Sequence, residues 1–322
     1  MAVGTKSNQQ IYEEQFFGGM NEVLAQNANI FNAASRNSVR LFPRSLKGDF
    51  SQESFMQAIS EANLIARRDV TDASSSTTDQ PLTQDEIKSV KINRRIGPIA
   101  NTVDSMKKIG ENMGTFMFMV GQQTGVAQQL DYLHMAVRAC EATLDKQTTT
   151  EFDASDGTLN SSDLVDGLNV LGDRASRIVC WVMHSKVYHD LVKNQIAANV
   201  DGLTEFNIRT GIPVTLDRPV IITDESVLKV SGSPDNYITL GLTADAVHII
   251  QSEEQTLWTE NVTGVESLFT RIQGEFSYNV RVKGFKWGST VNPTDANVAD
   301  SSNWTLAAND VKDGPGVRIL SQ

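Results

Sequence analysis

The chain has 322 residues, 40% of them hydrophobic, four histidines, two cysteines and a formal net charge of -11. Such a length buries a sizeable core and forms about two domains or one large elaborated one, and the composition is neither disordered nor fibrous. The acidic balance excludes a general electrostatic grip on nucleic acid, which needs a basic face, so any contact with DNA is local.

Cys140 and Cys180 lie in apolar surroundings without a CxxC partner, the pattern of small buried hydrophobes in a reducing compartment. Met1 to Gln10 are polar and lack the layout of a secretory signal, which places synthesis in the cytoplasm. The most lipid-like stretch, Thr115 to Val120, is far short of the roughly 20 apolar residues of a membrane span, so no membrane partner is expected. It sits between Gly110-x-x-x-Gly114 and Gly121-x-x-x-Gly125, a spacing that predicts close helix packing.

In chain order, residues 1–50 are rich in Asn, Gln and Ser, and their apolar groups (Ile11, Phe16, Phe17, Ile30, Phe31) read as an arm that packs on something else. From Ser51 to Ala66 the positions Phe55, Ile59, Ala62 and Ala66 recur at helical spacing and predict a short amphipathic helix. A hairpin is expected next, with basic flanks Arg67 and Arg68 on one side and Lys88, Lys91, Arg94 and Arg95 on the other, around a Ser/Thr/Asp-rich tip from Thr71 to Glu86. On its returning limb Val90 and Ile92 alternate with Lys91 and Asn93 as in a strand. A hairpin this polar is marginal in isolation and gains most by lying across another acidic subunit, so these six basic residues are read as intersubunit contacts.

Gly97-Pro98 reads as a boundary, followed by a long helix whose apolar run passes from Met117 through Val126, Leu130, Leu133, Val137 and Leu144. A turn at Asp153 to Gly157 leads to Ser161 or Ser162 as cap of a helix carrying Leu164, Val165, Leu168 and Leu171. Ile178 to Met183 is an unbroken apolar run, expected of a central strand, and Ser185 is read as cap of the helix that follows. Ile212-Pro213-Val214 and Pro219 to Asp224 read as a strand pair on the same sheet, and Tyr237 to Ile250 as a further strand region. From Arg271 to Lys283 apolar and polar residues alternate in one long half-buried strand, whose parity flips past Gly284 at Phe285 and Trp287. Val317 to Leu320 form a last apolar strand after the Gly314-Pro315-Gly316 turn.

The order of these elements resembles that of the major capsid proteins of tailed bacteriophages with the Hong Kong 97 fold, a fold shared by encapsulins. The step from Ile178 to Met183 into His184-Ser185-Lys186-Val187-Tyr188 looks like the family's strand-to-helix step. Gly211 to Val214 with Pro219 to Asp224 is similar to its segment ending near the capsomer axis. The resemblance implies an α+β fold with an N-terminal arm (1–50), an extended loop with its preceding short helix (51–97) and the spine helix of a peripheral domain (98–150). It implies further an axial domain (151–262) and a strand returning to the peripheral domain with the C-terminal segment (263–322).

The function so implied is a shell subunit that self-assembles through pentamers and hexamers into an icosahedral or prolate capsid around double-stranded DNA, assembled in the host cytoplasm and resident in the virion. Its implied partners are copies of itself, a separate scaffolding protein, a portal and a decoration protein, with DNA held by confinement and local contacts at Arg36, Arg40, Arg44 and Lys47. The alternatives are an encapsulin-type nanocompartment shell and an uncharacterised α/β enzyme using Cys180, His184 and His189. The dispersed histidines and the absence of nucleophile-elbow, P-loop and dinucleotide-binding signatures argue against an enzyme, a cofactor or a metal site.

Overall fold

The structure is a computed structural model describing residues 16–24, 31–42, 52–56, 84–105, 113–200, 215–253, 255–288, 290–308 and 310–322, with positions 65, 70, 71 and 79. Its strands in chain order begin with β1 (Val39–Phe42), β2 (Gln52–Met56), β3 (Gln84–Lys88), β4 (Val90–Thr102), β5 (Glu151–Ala154), β6 (Ile178–Met183), β7 (Val220–Ile222) and β8 (Lys229–Val230). They continue with β9 (Asn236–Thr243), β10 (Val247–Gln251), β11 (Thr256–Val262), β12 (Phe269–Val282), β13 (Phe285–Trp287), β14 (Trp304–Leu306) and β15 (Gly316–Ser321). Helices α1 (Met113–Asp145), α2 (Ser161–Asn169), α3 (Ser185–Val200) and α4 (Asp295–Val298) join a helical stretch at 16–24.

The alternating run predicted from Arg271 is β12, the axis of a five-stranded sheet. One edge pairs antiparallel with β4, from Phe269 opposite Thr102 to Val280 opposite Val90. The other edge is shared: β11 takes Phe269 to Glu275, β10 takes Tyr278 to Val282, and β1 adds parallel to β10. Ile272, Phe276, Tyr278 and Val280 turn inward, and α1 crosses over them; the Tyr132 ring stands 4.7 Å from that of Tyr278 at 73°. After the turn at Gly284, whose φ is +75°, Phe285 and Trp287 are buried in a separate ribbon of β13 with β14.

Pro98 is not a boundary. Gly97 and Pro98 together face Gln273, where the register steps from Ile96 opposite Gly274 to Ile99 opposite Ile272, and Gly97 takes φ +73°. A bulge asks no ladder donor of the proline, so the strand runs on to Thr102, and the long helix begins only at Met113. Nor do Gln52 to Met56 form a helix. They pair antiparallel with Gln84 to Lys88, and five ladder pairs outweigh a helical spacing whose other members, Ile59, Ala62 and Ala66, lie outside the described residues. The hairpin limbs are thus β2 and β3, and Lys91, Arg94 and Arg95 sit on β4 in the main sheet.

The second sheet has six strands in the order β5-β15-β9-β6-β7, with β8 on the edge of β9 beside β6. The predicted central strand is β6, with Cys180, Trp181, Val182 and Met183 fully buried between β9 and β7. Val220 to Ile222 pair parallel with it, and Ile212 to Val214 lie outside the described residues. Ser161 and Ser185, expected as caps, are the first helical residues, and the caps fall one residue earlier. The backbone N–H of Asn160 donates to Asp163 Oδ2 at 2.7 Å ahead of α2, and the Lys186 N–H donates to His184 Nδ1 at 3.2 Å ahead of α3. Chain order and sheet membership diverge: β10 and β11, from within 151–262, join the first sheet, and β15, from within 263–322, joins the second.

The glycine spacing on α1 does mark a helix crossing. A Cβ on Gly121 would come 2.2 Å from the carbonyl oxygen of Phe16, and one on Gly125 3.1 Å from that of Met20. Phe16 and Met20 are buried with Met117, Val120, Leu257 and Ile272. This part of the leading fifty residues therefore packs on its own chain, unlike the expected arm, because glycines on α1 let two helical backbones meet closely.

Candidate functional site

The hairpin is the element that the sequence marks for contact, and its root is built by three interactions. Ser89, buried between β3 and β4, accepts from Asn279 Nδ2 at 3.2 Å. Arg281 Nη1 lies 2.6 Å from Glu53 Oε2, and Lys286 Nζ lies 2.9 and 3.2 Å from the two oxygens of Asp85. The hydrogen bond from Lys286 holds the Asp85 carboxyl below its ordinary value. The limbs are thus fixed on β12 and β13, while Ile65 and Val70, in the loop between them, are 86% and 81% exposed.

Of the six basic residues assigned to intersubunit contact, Arg67 and Arg68 lie outside the described residues, and Lys88 ends β3. Lys91 is buried and bonded to Glu253. Arg94 holds Asp131 through two nitrogens, Nε to Oδ2 and Nη2 to Oδ1, each at 2.9 Å, and reaches Asp295 Oδ1 with Nη1 at 2.8 Å. Asp295 continues to Arg138 at 3.0 Å, Arg138 to Glu225 at 2.7 Å, and Glu225 to His134 at 3.1 Å. The Tyr278 hydroxyl donates to Asp131 Oδ2 at 2.6 Å, and burial with that carboxylate raises its pKa. This relay ties the first sheet and α1 to α4 and to the segment after β7. It joins residues up to 201 positions apart in sequence, and spacing along the chain carries no sign of it. Arg95 points the other way, to the exposed face of the sheet.

Of the residues expected to face DNA, Arg36 donates to the Asp217 carbonyl at 2.9 Å and Arg40 pairs with Asp245 at 3.0 Å. Arg44 and Lys47 lie outside the described residues. In the enzyme alternative Cys180 is fully buried, and burial pushes its thiol up to about 11, which leaves little thiolate for nucleophilic attack. His184 Nε2 lies 3.6 Å from Asp224, and His189 is exposed.

A family model described as Gp13-like, major capsid protein 13-like, matches residues 8–318. The chain belongs to this family. This major capsid protein is similar in structure to a chain of Microbacterium phage Oxtober96, with 12% identity over 90% of this chain and 91% of that one and a TM-score of 0.53. It is similar also to the Cyanophage Pam1 capsid asymmetric unit (9% identity, 85% of each chain, TM-score 0.51). The capsid of Ralstonia phage GP4 gives 10% identity over 88% of this chain and 86% of that one, with a TM-score of 0.51. A 41-residue stretch, 13% of the chain, is 56% identical to a UPF0434 protein of Blochmanniella pennsylvanica and spans 73% of it.

The structural likenesses bear out the α+β capsid fold of Hong Kong 97 type. The family match makes the protein a structural component of the tailed-phage virion that self-assembles into the shell, not an enzyme, and it does not favour the encapsulin alternative. Trp258, which the sequence reading passed over, is the side chain whose exposure most distinguishes the sheet face beside Arg95.

Proposed function

We propose that this major capsid protein forms pentamers and hexamers that close into an icosahedral or prolate shell around double-stranded DNA, with the extended loop of each copy buried on a neighbour. The observation that carries this reading is the hairpin: its root is pinned by Arg281 to Glu53 and Lys286 to Asp85, yet Ile65 and Val70 remain exposed. Apolar surface gains about 25 cal/mol per Å2 on leaving water, and a chain that fixes a loop without covering it leaves that gain to a partner. In this scheme residues 1–50 act as the arm, with 16–24 seated on α1 of their own chain, 51–97 as the extended loop, 98–150 as the spine, 151–262 without β10 and β11 as the axial domain, and 263–322 without β15 as the returning segment.

A separate scaffolding protein sets the curvature of the growing shell, and a portal and a decoration protein complete it. DNA is held by confinement. The net charge of -11 opposes wide contact, and the Arg36 and Arg40 guanidinium groups already meet Asp217 and Asp245. Arg44 and Lys47 supply local contacts.

Negative-stain microscopy of the expressed chain, alone and with its neighbouring gene products, tests the reading. Closed shells or capsomers are the expected particles. A chain that stays monomeric at high concentration under every combination refutes it, and tight binding of the monomer to DNA at physiological salt refutes confinement.

A further inference from the structure

Between α1 and β4 lies a cleft of about 430 Å3, lined by Ile96, Ile99, Val120, Thr124, Gln128 and Phe276 among others. Among the described residues β4 pairs with β12 alone, so the cleft opens along an edge of the first sheet. Most of its polar groups are already engaged. Arg94 and Asp131 hold each other, and Thr124 Oγ1 donates to the Val120 carbonyl at 2.8 Å. Gln128 is the exception. It is 3% exposed, its Nε2 donates to the Tyr132 hydroxyl at 2.5 Å, and its Oε1 has no partner among the described residues. Turning the amide over exchanges the two atoms and leaves an N–H unmatched instead. Buried polar groups are ordinarily satisfied, so the cleft calls for an occupant with a polar atom on an apolar body.

The described structure begins at the wall of this cleft. Phe16 is buried in the cluster that contains Val120, with Ile99 packed against it, and both of these residues also line the cleft. Residues 1–15 contain a single aromatic, Tyr12, followed by Glu13 and Glu14. Four residues extend to about 14 Å at most, whereas about 10 Å of helix separates Gly121, where Phe16 crosses α1, from Gln128. The cleft is therefore within reach of Tyr12. The charges agree as well: Arg95, at the rim, meets no carboxylate at ion-pair distance among the described residues.

We propose that Tyr12 of the same chain occupies this cleft. Its ring packs on Ile96, Ile99 and Phe276, its hydroxyl bonds the Gln128 amide, and Glu13 or Glu14 meets Arg95. A tyrosine hydroxyl both donates and accepts, so it serves the amide in either orientation. Ile11 and Val3 are apolar but bring no polar atom. The seat lies within one subunit and continues the attachment that Phe16 and Met20 make to α1, independently of the shell reading.

Oxidising the full chain with Tyr12→Cys and Thr124→Cys should close an intrachain disulfide, read as the loss of two hydrogens in intact mass and as faster migration on a non-reducing gel. Cys140 and Cys180 are buried and do not compete. Tyr12→Cys with Val126→Cys, on the flank of α1 that faces Phe31 and Leu41, should close several-fold less. Equal yields would mean a loosely tethered segment, and covalent dimers would put Tyr12 on a second copy; either result overturns the assignment. The hydroxyl has its own test. Tyr12→Phe should speed amide exchange at residues 11–15 by about 2- to 10-fold, the worth of one hydrogen bond, and so should Gln128→Met. The double variant should exceed neither single one, because both remove the same bond. Tyr12→Phe changes no contact among the described residues, so its effect is not a folding defect. Exchange at 11–15 that ignores Tyr12→Phe, or effects that add in the double variant, refute the bond.

Discussion

Replacing Gly121 by alanine tests how the leading residues are attached. The new Cβ would stand 2.2 Å from the Phe16 carbonyl oxygen, whereas non-bonded heavy atoms rest about 3.5 Å apart, so the two backbones must separate by about 1 Å or more. Overpacking of this kind costs about 1–3 kcal/mol, and the obstacle is backbone that cannot swing aside. Against it, alanine gains about 1 kcal/mol of helix propensity over glycine. The net expectation for Gly121→Ala is a loss of up to about 2 kcal/mol, a fall in melting temperature of about 1–2 °C per kcal/mol at this chain length. Valine should reach a ceiling set by detachment: once residues 16–24 leave α1, the burial of Phe16 and Met20 is forfeited, about 1.5–3 kcal/mol each. Hydrogen exchange should then show protection lost at 16–24 with β12 unchanged. Ala127→Gly, at an exposed position of the same helix, measures the propensity contribution alone. A higher melting temperature for Gly121→Ala would refute the close-crossing argument, because propensity would have outweighed contact.

Other consequences are as direct. Glu141 lies at the end of α1 with Asp145 and Glu151 around Arg318, and burial pushes its carboxyl up to about 7, against the pull of Arg318. A raised acid favours the protonated folded state, so stability falls by about 3 kcal/mol as pH climbs from about 4.5 to about 7 and is flat above. Glu141→Gln should therefore melt higher than wild type at pH 8 and equally at pH 4; a lower melting temperature at pH 8 would show the Arg318 pair to be the larger effect. Arg94→Ala leaves Asp131 and Asp295 without their shared guanidinium and should cost about 1–3 kcal/mol, while Arg95→Ala should stay within about 0.5 kcal/mol. Equal effects in urea denaturation would refute the opposite-face assignment. Lys286→Met should speed amide exchange in β2 and β3 several-fold, as should 1 M salt on the wild type, since the Asp85 pair is a partly exposed one worth about 1 kcal/mol or less. Exchange indifferent to both would show that the root is held by other contacts.

The long elements were legible because their period is a property of the chain itself. β12 announced its two faces in the alternation from Arg271 to Lys283, β6 its double burial in an unbroken apolar run, and α1 a close helix packing, though not its partner, in the Gly121 to Gly125 spacing. Short elements held by distant partners were not. Gln52 to Met56 are a strand only because Gln84 to Lys88 lie alongside, and Pro98 remains in β4 only because β12 accepts a bulge there. The basic residues from Lys88 to Arg95 read as one charged flank, yet alternation along β4 sends Arg94 into the relay with Asp131 and Asp295 and Arg95 to the outer face. Partners 37 and 201 residues away decide that split.

A cryo-EM reconstruction of the assembled particle bears most directly on the claim that each subunit leaves its extended loop for a neighbour to bury. The account requires a closed shell in which density for residues 57–83 crosses onto an adjacent copy. Density that folds this loop against its own subunit, or particles with no repeated subunit contacts, would contradict it.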